Sequence, residues 1–220
     1  DTPRFHEALR AVRDGYHRLE VRQAVLGGLS YPEDAAELKT FIDGHFTEAA
    51  RLRAEAGQPM ADADATPRAL LVPHLDPRRA GATIARGYVE LGLERPGPLR
   101  VVVYGTGHAL LGESVALTRK RFETPLGTVA CDTAFVDALA DRLGEAAWRG
   151  ELAHRDEHSI EFQALYLQRR FGNRPLTLVP ILCGGFHALL DNGQGARDDT
   201  TCETLIAAVR DAERSLGGTT

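Results

Sequence analysis

The chain has 220 residues, 43% of them apolar, and a formal charge of −5 with a pI near 5.9. That is enough for one large α/β domain with a proper core, and a mildly acidic balance without a long Lys/Arg run excludes a phosphate-tracking nucleic-acid face. No stretch approaches the roughly 18 to 20 apolar residues of a membrane span, the charged start lacks the apolar centre of a secretory signal, and three scattered cysteines outside any CxxC pair place the protein in a reducing compartment, the cytoplasm by expectation.

Residues 1–25 read as a polar, Arg-rich lead-in with weak helical periodicity, and 26–220 as a single domain. A helix follows in which Leu38, Phe41, Ile42 and Phe46 share a face, with Ser30 or Asp34 as its cap and Gly57 at its end. "QPMADADATP" is a surface loop or linker, and Met60 within it carries no pattern. Ala69–Pro73 reads as a short buried strand, "RRAGATIARGYVELGL" as an amphipathic helix closed by Gly92, and Leu99–Tyr104 as a valine-dense strand. That β-α-β order predicts a parallel pair with a right-handed crossover. "SVALTRKRFETPLGTVACD" alternates around Pro-Leu-Gly and predicts a strand and a hairpin. Helices are expected over 133–147, from near Asp156 to Phe171, and over 201–215, with "PLTLVPILCGG" as another buried strand. The class is α/β, three layers around a mixed, mostly parallel sheet. "ERSLGGTT" is the kind of turn that precedes a strand, so the domain is expected to continue past it.

Two histidines end apolar runs: His74 in "ALLVPH" and His108 in "LRVVVYGTGH". Open α/β sheets bind ligands outside the carboxyl ends of their strands, and imidazole is the commonest side-chain metal ligand, so the pair looks like half of a metal site. Asp76 is placed to accept from the other ring nitrogen of His74. A histidine bonded only to a backbone carbonyl stays open as the plainer reading of His74. Gly105 and Gly107 allow positive φ and close backbone approach, which would present His108 over the sheet. The same turn could cradle a phosphate or leave His108 exposed and idle. It lacks the third glycine of a dinucleotide fingerprint and the GK[ST] of a P-loop, so no nucleotide cofactor is expected.

A third group stands in "HRDEHSIEFQALYL". Capping and the helix dipole account for Asp156 and in part for Glu157, whereas His158 should be neutral at a helix N-terminus and free to act as acid or base. His158 and Glu161, at i and i+3, share a face. His154 reads as solvated and His187 as loop surface. Cys183 ends "LVPILC" and could line the same crevice, although a buried, inert thiol is the plainer reading.

Taken in order, "PHLDPRRAG", "VVVYGTGH", "RKRFETPLGTVACD", "HRDEHSIEFQ" and "VPILCGG" resemble the Memo family, whose bacterial members are called AmmeMemoRadiSam system protein B. The resemblance covers roughly residues 25–190, and "FETPLGT" with "EHSIEFQ" is its specific part. It implies a fold like that of class III extradiol dioxygenases and non-haem Fe(II). His74 and His108 would be the metal ligands, with Glu157 and His158 as the catalytic acidic-His motif. The chain departs from the pattern at Leu75 and Asp76, where many members read "PHAGY", and at "GTGHA", where many read "GPSHH". No counterpart of the family's downstream "DLAH"-type motif and C-terminal metal ligand occurs before Thr220. The implied function is oxygenation of a small aromatic substrate, and the alternative is a non-catalytic module that holds a metal or a peptide in the same pocket. Neither nucleic acid nor membrane is an expected partner. The sequence leaves the oligomeric state open, a homo-oligomer included.

Overall fold

A computed structural model describes residues 2–58, 68–91, 97–110 and 112–217. The expected loop over 58–67 apart from Gln58, with Met60 in it, and Gly92 as a helix terminator lie outside the described residues. The axis of the fold is β6 (Leu176–Cys183), an uncharged run whose middle is fully buried, as central parallel strands are. β2 (Leu99–Thr106) runs parallel to it in unbroken register, from Leu99 opposite Leu176 to Thr106 opposite Cys183. On the other side, β5 (Gly127–Cys131) lies parallel to the start of β6, and β3 (Val115–Leu117) antiparallel to its end. β4 (Arg121–Thr124) forms the expected hairpin with β5, and β1 (Val21–Arg22) pairs with β4 in parallel. The order β1-β4-β5-β6-β2, with β3 on β6, is a mixed and mostly parallel sheet.

Alternation along β6 sends side chains to both faces. Leu178 and Leu182 join the core under α2 (Ala35–Glu55), α3 (Pro77–Glu90) and α6 (His158–Phe171). Val179 and Ile181 join the core under α4 (Thr133–Leu143), α5 (Ala146–Arg149) and α8 (Thr200–Leu216). The result is the three-layer α/β/α arrangement expected from the pattern. Asp34 is the cap of α2, accepting from the Ala36 and Glu37 N–H groups, and Leu38 and Ile42 are buried on its inner face.

Three elements differ from the sequence reading. Residues 69–73 form no strand, so the expected β-α-β pair with β2 does not form, and β2 is the last strand of the sheet path. Side-chain packing holds this segment instead of a ladder. Leu70 and Val72 press on the bare backbone of Gly87 in α3, while Leu71 is 98% exposed. The helix expected over 133–147 breaks at Gly144, whose φ of +74° ends α4 before α5 begins. The polar lead-in forms α1 (Pro3–His17), and Val21–Arg22 beyond it enters the sheet as β1.

Candidate metal centre

The carboxyl end of β2, the N-terminus of α6 and the approach to α3 meet at one edge of the sheet, and each brings one histidine. Ring centroids of His74 and His108 are 5.2 Å apart, those of His74 and His158 5.5 Å, and those of His108 and His158 4.7 Å. One ligand atom from each of the three falls within 4.8 Å of the others. The sequence counted two donors and reserved His158 for acid–base work; the fold brings His158 into the same cluster.

Local structure explains why the rings converge. Gly105 and Gly107 are both required, but not for positive φ, since neither adopts it. A Cβ on Gly105 would stand 2.6 Å from Ile160 Cγ1 and 2.7 Å from Ser159 Oγ, and one on Gly107 would stand 2.5 Å from Leu110 Cδ1. The small size of Gly105 lets α6 lie against the end of β2, which sets His158 beside His108, while that of Gly107 lets Leu110 fold back over the turn. The Ser159 hydroxyl adds a hydrogen bond to the Thr106 carbonyl at 3.2 Å.

Glu157 is the hub of the arrangement. As N-cap of α6 its carboxylate accepts from the Ser159 N–H at 2.9 Å. It also accepts from the His108 N–H at 3.1 Å and from His108 Nδ1 at 3.0 Å, and it lies 3.3 Å from His158 Nδ1. Burial alone would raise its pKa, but the donors from Ser159 and His108 outweigh that and hold the carboxyl below its ordinary value. A carboxylate on Nδ1 fixes the His108 tautomer with the proton there and leaves Nε2 as a lone pair. For His158, burial first and then the neighbouring His108 and His74 oppose charging, against the pull of Glu157, so its pKa falls below the ordinary histidine value. A neutral imidazole is the form that ligates metal.

The other expected site residues lie elsewhere. Asp76 is occupied as the cap of α3, accepting from the Arg78 N–H at 2.8 Å, and makes no hydrogen bond to His74 among the described residues. Glu161 is fully buried and paired with Arg22 rather than facing a pocket. Cys183 packs into the α4/α8 core, and burial pushes its thiol up to about 11. Such a thiol is inert. His187 is exposed as expected. His154, read from sequence as solvated, is only 1% exposed and bonds the Ala116 carbonyl through Nε2. Gln163 and Arg22 carried no signal in the sequence: Gln163 donates to the Pro73 carbonyl, next to His74, and accepts from the Tyr88 hydroxyl.

Two cavities flank the histidines. One of about 510 Å³ runs along β2, walled by Leu70, Val72, Val103, Tyr88 and Leu167, with His74, Thr106 and Ser159 at its histidine end. The other, of about 470 Å³, opens on His108, Glu157 and His158 and is rimmed by Arg13, Glu113 and Arg149.

The sequence profile of the Memo-like proteins matches residues 22–196, which include all three histidines. The chain belongs to the Memo family. Curated relatives of this Memo chain include a MEMO1 family protein of Thermus thermophilus, 36% identical over 66% of this chain and 41% of that one. A MEMO1 family protein of Methanopyrus kandleri is 33% identical over 88% of this chain and 65% of its own length. One of Thermotoga neapolitana is 32% identical over 89% and 66%. This Memo chain thus spans between 41% and 66% of the length of these relatives. Among its described residues, no helix is long and apolar enough to cross a membrane.

Proposed function

We propose that this protein holds a divalent transition metal, Fe(II) first, on His74, His108 and His158, and that the site serves extradiol-type oxygenation of a small aromatic substrate. The observation that carries this reading is the convergence of three imidazole nitrogens within 4.8 Å beside an apolar cavity. Three imidazoles are a donor set that suits iron, zinc, copper or nickel rather than magnesium or calcium. A bound ferrous ion would supply the place where O₂ and the substrate hydroxyls meet.

The protein's own part is positioning. Glu157 holds His108 with Nε2 toward the cluster, and the Gly105–α6 contact holds His158. The cavity along β2 excludes water from an aromatic ring whose hydroxyls would point toward the histidines. A nitrogen that holds a metal cannot also carry a proton, so the ligand role of His158 replaces the acid–base role its sequence context suggests. Glu157, already accepting from His108 and Ser159, is an orienting carboxylate rather than a proton donor.

The second reading is a metal- or peptide-holding module without turnover. Its support is the other cavity, on which the His108 side chain is 47% exposed. Metal content after anaerobic purification, with His74→Ala, His108→Ala and His158→Ala in parallel, tests the common ground. Near-stoichiometric iron or another divalent metal, lost in each variant, is the expected result; absence of metal in the wild type after Fe(II) addition would sink the enzyme reading and the metal-holding form of the second, leaving a peptide-holding pocket. Oxygen uptake with catechols then separates enzyme from module.

A further inference from the structure

Arg22 and Glu161 form an ion pair whose two side chains are both 0% exposed. Arg22 stands on the two-residue strand β1, and Glu161 one turn into α6. Besides Glu161, the guanidinium donates to the His154 carbonyl at 3.0 Å, to the Gln23 carbonyl at 2.9 Å and to the Glu157 carbonyl at 2.8 Å. Glu161 in turn accepts from the Leu26 N–H at 3.0 Å, from the Val25 N–H at 3.3 Å and from the Tyr31 hydroxyl. Every nitrogen of Arg22 is used, and the contacts join two stretches of chain more than a hundred positions apart, residues 22–31 and 154–161.

Such a pair is not explained by stability. Removing two charges from water costs several kcal/mol per ion, and replacing a buried pair by apolar residues is often neutral or better. What the pair does provide is a fixed address. It ties the backbone of Glu157 and the side chain of Glu161, which bracket His158, to the β1 end of the sheet. The first turn of α6 can then neither slide nor rotate. His158 sits on that turn, and the Glu157 carboxylate that orients His108 sits at its cap.

We propose that the Arg22–Glu161 pair is a positioning device for the histidine cluster, setting the place of the first turn of α6 so that His158 and His108 meet His74. This rests on the metal-site reading. Neither residue touches the cluster, so both act through Glu157 and His158.

The test is Co(II) titration of the full chain, followed by its visible d–d spectrum, on wild type, an Arg22→Met/Glu161→Gln double variant and Arg22→Lys. The double variant removes both charges but keeps an oxygen for Val25, Leu26 and Tyr31. Arg22→Lys keeps the charge but lacks the fork that reaches Glu157 and His154. Variants that melt cooperatively with native circular dichroism, yet bind Co(II) about 10-fold to 100-fold more weakly with an altered spectrum, are expected. Folded variants with wild-type affinity and spectrum would overturn the proposal while leaving the metal site intact. Failure of both variants to fold would assign the pair to the core and also overturn it. A wild type that takes up no Co(II) would remove the metal reading itself.

Discussion

At the scale of single residues, the histidines near the site are set apart by what surrounds them. His154 and His158 are four positions apart, yet one is sealed in the core and the other reaches a cavity. Burial opposes charging of His154 more than its bond to the Ala116 carbonyl favours it, and its pKa falls from 6.5 to about 4. The folded value lies below the unfolded one, so the unfolded chain takes up a proton first as pH falls. The stabilising contribution is whole above pH 6.5 and is lost on the way down to about 4. The slope is about 1.4 kcal/mol per pH unit. Burial also depresses His45 and His158, so the informative quantity is a difference between proteins. Urea unfolding at neutral pH and near pH 5 should show wild type losing about 2 kcal/mol more than His154→Gln, which keeps a donor for Ala116 and does not titrate. Equal losses would mean that His154 is already charged in the fold.

At the scale of elements, the site depends on how closely α6 approaches β2. The contact is made through the absent side chain of Gly105, with Ile160 and Ser159 filling the place of a Cβ. Gly105→Ala should cost about 1–3 kcal/mol in urea unfolding, because a γ-carbon and a hydrogen-bonded hydroxyl, not a flexible chain end, must move. A cost near zero would mean that α6 has room to give.

At the scale of the whole molecule, β2 presents a valine-rich edge to the cavity of about 510 Å³ that ends at His74. Three of its β-strand positions separate Val103 from the turn that carries His108, roughly 10 Å at the rise of an extended chain. Val103→Phe should therefore put a ring where a substrate ring would lie, leaving metal content unchanged and weakening catechol binding at least about tenfold, since lost ring burial is worth more than 1.4 kcal/mol. Unchanged catechol binding, read by calorimetry on metal-loaded protein, would move the substrate to the cavity beside His108.

Much of this was legible in the sequence, and what was legible was local. Apolar runs, caps and Pro/Gly punctuation identified β2, β6, the β4–β5 hairpin, α2, α3, α6 and α8, because period and capping depend on neighbours in the chain. The strand-end position of His108 was legible for the same reason. Ala69–Pro73 misled because apolar composition shows that a segment will pack, not whether it packs through a ladder or, as here, through Leu70 and Val72 on a helix glycine. His154 and Glu161 misled because no pattern within a few residues shows that Arg22, more than a hundred positions earlier, lies against both. Chain-local pattern was enough for the layers, for the ends of β2 and β6 and for His108 just past the first of them, whereas His74 follows a segment that is no strand. Distances across the sheet, which local propensity does not encode, bring His158 to His74 and His108, set the Glu157 carboxylate against the His108 ring, and leave Asp76 as a helix cap and Cys183 in the opposite core.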